Sequence, residues 1–325
     1  MIMLPPSGRS EFEGFAAYYD AEIAPFLREK EAERQAAATN YIILIGAIGL
    51  LAAAVFFFAP LGGANLHLSM FIGMAGVAAA TWLLNRTRSD IMHGLLERVC
   101  AKFGFAYSLS PGRPPEYDSF RSLGLVPTHN LEAWEDEVKG AHAGAAFTLC
   151  EAHLKYKSSG KNSSTRTVFH GQLIVIDYPR RFLGTTVLKR DRGVFNALTR
   201  PGRAFTRVGL AAPEFEKAFE AWSTDQVEAR DLLEPIKLER FQALERMYGG
   251  KELRAAFTDG KLLIAVKTGD RMNMGSMFKS LENPRRVENL LQEFDAVFDL
   301  IDVLLTRVEG RLDEAVLVGD VRGRQ

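Results

Sequence analysis

Cysteine is scarce in this chain. There are two in 325 residues, Cys100 and Cys150, with neither a CxxC pair nor a Cys/His spacing suited to metal. A disulfide framework does not fit that usage, and reduced thiols in a cytosolic compartment do. Net charge is missing as well: 40 Lys and Arg balance 40 Asp and Glu, so nothing global draws the protein to nucleic acid. There is no P-loop, GxGxxG, GxSxG or kinase signature, and no HxxxH or HExxH. His129, His142, His153 and His170 stand singly, and no Ser, Cys or Asp has the spacing of a nucleophile with its base. No cofactor or metal is therefore expected. The common enzyme classes are disfavoured, and catalysis of an unrecognised type stays open as the alternative.

Charge is absent locally in a more telling way. Tyr41–Ala59 and Leu66–Leu84 carry no Asp, Glu, Lys or Arg, and each is about long enough to cross a ~30 Å bilayer core as a helix. Buried helices of soluble proteins rarely run so long without a charge. A signal peptide does not fit either, because a charged segment of some forty residues precedes the first run. Arg28, Lys30 and Arg34 come before the runs and Arg86, Arg88 and Arg98 after them, whereas the connector PLGGAN is uncharged. The positive-inside rule then places both termini in the cytoplasm. With no ionisable group inside either run and His67 only at an edge, an anchor is expected over a conduit. Gly76 and Ala80 form a small-xxx-small pair that allows close helix packing.

The expected organisation is an N-terminal amphipathic helix over 1–40, a transmembrane hairpin over 41–85 and a juxtamembrane helix and loop over 86–139. A cytoplasmic α+β domain over 140–309 and a flexible tail over 310–325 complete it. Phe12, Phe15, Tyr19, Ile23, Phe26 and Leu27 recur at helical spacing, with Pro25 either kinking that helix or opening a second one. Packing of this face on the cytoplasmic domain is favoured over the membrane interface, because the opposite face is acidic as well as basic. Asp90–Phe105 reads as an amphipathic helix beginning near Ser89, and Ser110–Phe120 as a loop. Segment 121–139 yields no assignment.

From about residue 145 the pattern is β-rich. AAFTLCEAHLKYK and TRTVFHGQLIVIDYP flank SSGKNSS as an antiparallel hairpin, in which His153 and His170 face each other. FLGTTVLKRD and AFTRVGL are further strands, Pro213–Trp222 a short helix, and Asp259-Gly260 a two-residue hairpin turn. Pro284–Leu305 closes the chain as a long helix. The fold class is α+β with a mostly antiparallel sheet.

Two segments are candidates for function. Between Lys155 and Arg207 there are twelve Lys or Arg against Asp177 and Asp191. A basic surface of Lys155, Lys157, Lys161, Arg166, Arg180, Arg181, Lys189, Arg190 and Arg192 would suit anionic lipid or an acidic or phosphorylated partner. Acidic helices after 213 would compensate it internally instead. Nucleic acid is the least favoured partner, since the aromatic and glycine pattern of RNA-binding sheets is missing. The second segment, WSTDQVEARDLLEP, is polar: Ser223, Thr224, Asp225, Gln226 and Glu228 fall within six positions. Ser223-x-x-Gln226 matches a capping box with Ser223 as N-cap, and Asp225 and Glu228 then sit at the positive helix end. Capping is favoured over catalysis, with Asp225, Gln226 and Glu228 at a pocket rim as the alternative.

YYDAEIAPFLREKEAER, TVFHGQLIVIDYPRRFLGTTVL, PEFEKAFEAWSTDQVEARDLLEP and AAFTDGKLLIAV together resemble the bacterial DUF3137 family of membrane-anchored proteins of unknown function. The likeness runs from about residue 11 to 305, and Thr224, Asp225, Gln226, Glu228 and Ala229 are its most specific part. Asp231 departs from the family, where an aromatic residue is expected. The resemblance implies an inner-membrane protein and, as a partner, a LemA-type envelope protein; it implies no chemistry. The resulting expectation is a non-enzymatic, membrane-tethered adaptor. Self-association is possible, and a channel made of oligomerised hairpins is the least favoured role.

Overall fold

The computed structural model describes residues 6–59, 62–160, 163–191, 200–210, 213–249, 252–268 and 276–322, with side chains as far as residue 304. The chain divides into two compact units, one of Met1–Lys102 with Asn273–Asn289 and one of Phe103–Met272 with Leu290–Gln325.

In the first unit, helix α1 (Phe15–Tyr18) follows Gly14, whose φ of 70° suits a residue without Cβ. A π-type turn at Tyr19–Ile23 leads into α2 (Ala24–Phe58). Pro25 lies in the first turn of α2, directly after that π-type turn. Helix α3 (Asn65–Lys102) returns beside it: Ile48 abuts Gly76, and Phe26 abuts Gly94. It runs unbroken through Ser89, so the separate juxtamembrane helix expected to begin there is the second half of α3. A capping residue marks a helix start only where preceding turns do not already supply carbonyls, and here they do.

Both helices are long and apolar enough to cross a membrane. None of the most apolar stretch of α2 is buried, and Leu50 is 76% exposed. Phe12, Phe15, Tyr19, Ile23 and Leu27, by contrast, are buried. Neighbouring residues of the same segment reach α3, the Tyr18 hydroxyl donating to the Arg98 carbonyl at 2.9 Å and the Arg98 guanidinium lying 3.9 Å from the Phe26 ring centre.

The second unit is α+β. Its strands are β1 (Ala106–Ser108), β2 (Leu131–His142), β3 (Ala145–Lys157), β4 (Thr165–Asp177), β5 (Thr186–Arg190), β6 (Thr206–Val208), β7 (Phe219–Ser223), β8 (Leu253–Thr258) and β9 (Lys261–Lys267). They form one antiparallel sheet in the order β1-β2-β3-β4-β9-β8-β5-β7-β6. The helices are α4 (Tyr117–Ser122), α5 (Pro213–Ala218), α6 (Gln226–Leu232), α7 (Pro235–Met247) and α8 (Arg285–Arg322), the last entering this unit at Leu290. The backbone of α8 stays helical well past residue 310.

Alternation along the strands divides the sheet into two covered faces. One bears Phe147 and Phe257, which meet Phe298 of α8 and Phe241 of α7. The other buries Ala152, Leu154, Leu173, Val187, Ala256 and Leu263 beneath Tyr117 and Phe120 of α4. Asp259 and Gly260, at φ 50° and 72°, make the two-residue turn between β8 and β9 in the form that matches strand twist. The helix expected over Pro213–Trp222 stops at Ala218. Phe219–Ser223 is instead a strand paired on both sides, its Phe219 and Ala221 sharing the face of Leu188. Ladder bonds on two edges outweigh a local helical preference.

Gly171 on β4 has no room for a side chain, because an added Cβ would lie 2.1 Å from the Val266 carbonyl oxygen. Gly171→Ala is expected to lower unfolding free energy by about 1–3 kcal/mol through overpacking. Denaturant titration checks this, and an unchanged midpoint would show that β9 can yield there.

Candidate functional site

The polar motif sits where β7 hands over to α6. Asp225 adopts extended backbone angles (φ −128°, ψ 111°), and its carboxylate accepts the N–H groups of Val227 at 3.0 Å and Glu228 at 2.9 Å. Asp225 is thus the N-cap, which corrects the assignment of that role to Ser223 and makes Gln226 the first helical residue. Ser223 is held in the strand by pairing with both Thr186 and Thr206, so it cannot turn into a cap. Its hydroxyl accepts the Asp225 N–H at 3.0 Å and lies 2.9 Å from the Thr186 hydroxyl.

The buried Glu228 carboxylate takes the Leu183 N–H and the Gly184 N–H, both at 2.9 Å, with the Arg180 guanidinium 3.9 Å away. Thr224 Oγ1 accepts the Thr185 N–H at 2.9 Å, and the Gln226 amide donates to Thr206 Oγ1 at 2.7 Å. Gly184 is needed because a Cβ there would meet Thr224 Oγ1 at 2.7 Å and Asp225 Cβ at 2.8 Å. Asp231, where the family resemblance implies an aromatic residue, pairs with Arg180 at 3.0 Å. Glu228, Thr224 and Asp231 therefore tie segment 180–185 to α6 and the turn before it, while Gln226 ties α6 to strand β6. Two apolar side chains are left outward by this arrangement, Leu183 at 83% and Val227 at 81% exposure. Leu183, Gly184 and Arg180 carried no sequence signal of this role, which exists only across the chain.

The basic residues differ in burial and in pairing. Lys157 and Arg166 are exposed and Lys155 half-buried at the end of the β3–β4 hairpin, and none of the three makes a salt bridge among the described residues. Arg166 also lies over the Tyr156 ring at 5.9 Å. Arg181 is exposed, Arg180 is engaged by Asp231, and Arg190 lies 3.5 Å from Glu245. Lys161 and Arg192 fall outside the described residues. Lys189 is only 7% exposed, which removes it from any surface, because β5 is an inner strand with both faces covered. It stands across from Glu220 on β7 and Arg254 on β8. Burial, with the Arg254 charge adding, pushes the Lys189 amine down to about 8 against the opposing pull of Glu220.

A third polar group lies on β3 and β4. The His153 and His170 rings stack with centres 4.4 Å apart, His170 Nε2 is 2.9 Å from Glu151, and His153 Nε2 is 3.0 Å from Thr167. Burial lowers the His153 pKa, the His170 and Lys155 charges adding to it. Among the described residues no three His, Cys, Asp or Glu side chains are grouped to hold a metal. Burial pushes the thiols of Cys100 and Cys150 up to about 12, leaving them unreactive.

Residues 167–305 match the family model DUF3137, described as a protein of unknown function. The match supports membership of the chain in the DUF3137 family. It begins in β4 and covers the 223–231 motif, segment 180–185 and Lys189, while the two apolar helices and β1–β3 precede it. A search of curated proteins finds no match. Among solved structures, the crystal structure of the mycobacterial trehalose monomycolate transport factor A, TtfA, aligns with 12% identity and a TM-score of 0.34, covering 63% of this chain and 95% of that one.

Asp225→Asn should leave stability nearly unchanged, since Asn caps as well as Asp. Glu228→Ala should cost roughly 3 kcal/mol by stranding the Leu183 and Gly184 amides. Chemical denaturation of both variants distinguishes the roles. For Lys189 the folded amine sits below its unfolded value of 10.5, so the unfolded chain binds more protons between about 8 and 10.5. The residue's destabilising effect is thus complete below pH 8 and is relieved as pH rises to 10.5. Relative to wild type, Lys189→Met should show its greatest thermal-stability advantage near pH 7 and lose it towards pH 10.5.

Proposed function

We propose that this protein is a membrane-tethered adaptor of the bacterial inner membrane. Its α2–α3 hairpin is the tether, both termini are cytoplasmic, and the α+β unit is the docking module. The observation that carries the reading is the exposed apolar surface of α2 and α3, which contains no Asp, Glu, Lys or Arg over Tyr41–Ala59 or Leu66–Leu84, with His67 at an edge. In water such a surface would drive association, whereas a bilayer buries it without further partners. Docking is supported by the motif at 223–231: its hydrogen bonds hold segment 180–185 in place, and Leu183 and Val227 stay open to solvent. Lys155, Lys157 and Arg166, which make no salt bridge among the described residues, favour a partner rich in acidic residues, and a LemA-type envelope protein is the first candidate.

The test is crosslinked capture of the tagged full-length protein from its own membranes, beside a version reduced to the spans. A partner held by the full chain, lost from the spans and lost again with Leu183→Asp plus Val227→Asp is the expected result. Lys155→Gln, Lys157→Gln and Arg166→Gln together should weaken capture several-fold at low salt and less at high salt, as surface charges are screened. Identical capture by the full chain and the spans alone would overturn the adaptor reading.

A further inference from the structure

The loop that precedes α8 belongs to the first unit, and two buried arginines grip it. Arg34 donates to the Met277 carbonyl and pairs with Glu31 at 2.8 Å; Glu31 in turn accepts the Leu281 N–H at 2.9 Å. Arg286 donates to the carbonyls of Ser276 and Lys279, both at 2.9 Å, and of Ser280 at 3.2 Å. Met277 and Leu281 point inward and are buried. Phe278 is 54% exposed despite this rigid support, and Lys279 beside it is exposed.

The position of that ring is informative. It lies edge-on to Tyr41, centres 5.9 Å apart, and Tyr41 opens the first apolar run. From the Ile48–Gly76 contact, seven residues back along α2 reach Tyr41 and six residues on along α3 reach Trp82. Tyr41, Trp82 and Phe278 therefore occupy one level at one end of the two apolar helices. Trp82 is exposed, with the Arg86 guanidinium 5.8 Å from its ring centre. Aromatic rings at the ends of apolar spans, with cations just beyond them, are the composition of a bilayer's headgroup level. Lys279 and Arg86 are placed for lipid phosphate, where each cation adds about 1 kcal/mol.

We propose that the Phe278–Lys279 turn is a third membrane contact of this protein, with the Phe278 ring seated at the headgroup–acyl boundary beside Tyr41 and Lys279 directed to lipid phosphates. It rests on the reading of α2 and α3 as membrane spans. The occupant is lipid because the exposed ring continues the apolar surface of those helices.

The experiment uses the full chain reconstituted in phosphatidylcholine–phosphatidylglycerol vesicles, with a fluorophore attached at Phe278→Cys or at Leu50→Cys. Cys100 and Cys150 are buried and stay unlabelled. Lipids carrying a quencher near the headgroup should quench the label at 278 most strongly, and lipids with the quencher near the chain end should quench that at 50. A deep signal at 50 with an unquenched, iodide-accessible label at 278 would overturn the third contact and leave the spans standing. No lipid quenching at either position would overturn the spanning reading and the third contact with it.

Discussion

A charge removed from water needs a counter-charge or hydrogen bonds inside the protein, and much of this structure follows from meeting that need. Glu228 is satisfied by two backbone amides of segment 180–185, Arg34 by Glu31 and a carbonyl, and Arg286 by three carbonyls of one turn. In each case a buried side chain from a helix organises a loop that has little internal structure of its own. Both of the proposed contact surfaces, the Leu183–Val227 pair and the Phe278–Lys279 turn, are loops or helix ends presented in this manner. Holding apolar side chains outward costs solvation, and a fixed backbone keeps them from folding back into the core.

The same requirement accounts for the uneven fate of the basic residues between 155 and 207. Where the chain crosses the interior of the sheet, a cation is compensated or its charge becomes harder to hold, as Lys189 shows between Glu220 and Arg254. Near the end of the β3–β4 hairpin, Lys157 and Arg166 are exposed and Lys155 is half-buried. A run of like charge in sequence therefore says little about a surface until strand position is known, because consecutive residues of a strand face opposite layers.

Several features were legible in the residues themselves. The two uncharged runs, the Asp259-Gly260 turn, the hairpin around SSGKNSS and the antiparallel α+β class each rest on local pattern or on backbone sterics, which act within a few residues. The motif at 223–231 could be recognised as structural in kind, since Ser, Thr, Asp and Glu before an apolar stripe fit a helix start. Its details were not legible. Choosing Asp225 over Ser223 as the cap required knowing that Ser223 is paired to both Thr186 and Thr206, and Phe219–Ser223 became a strand for the same reason.

By itself the sequence determined which segments avoid water, which carry charge and where the chain must turn, because hydrophobicity, ionisation and backbone sterics belong to individual residues and near neighbours. The tertiary structure alone decided which cations are buried, which residue caps α6, which partner holds segment 180–185 and which turn is fastened beside Tyr41. Those outcomes depend on pairings between residues tens to hundreds of positions apart, such as Glu31 with Leu281 or Glu228 with Leu183. Only the folded chain brings such groups within hydrogen-bond distance.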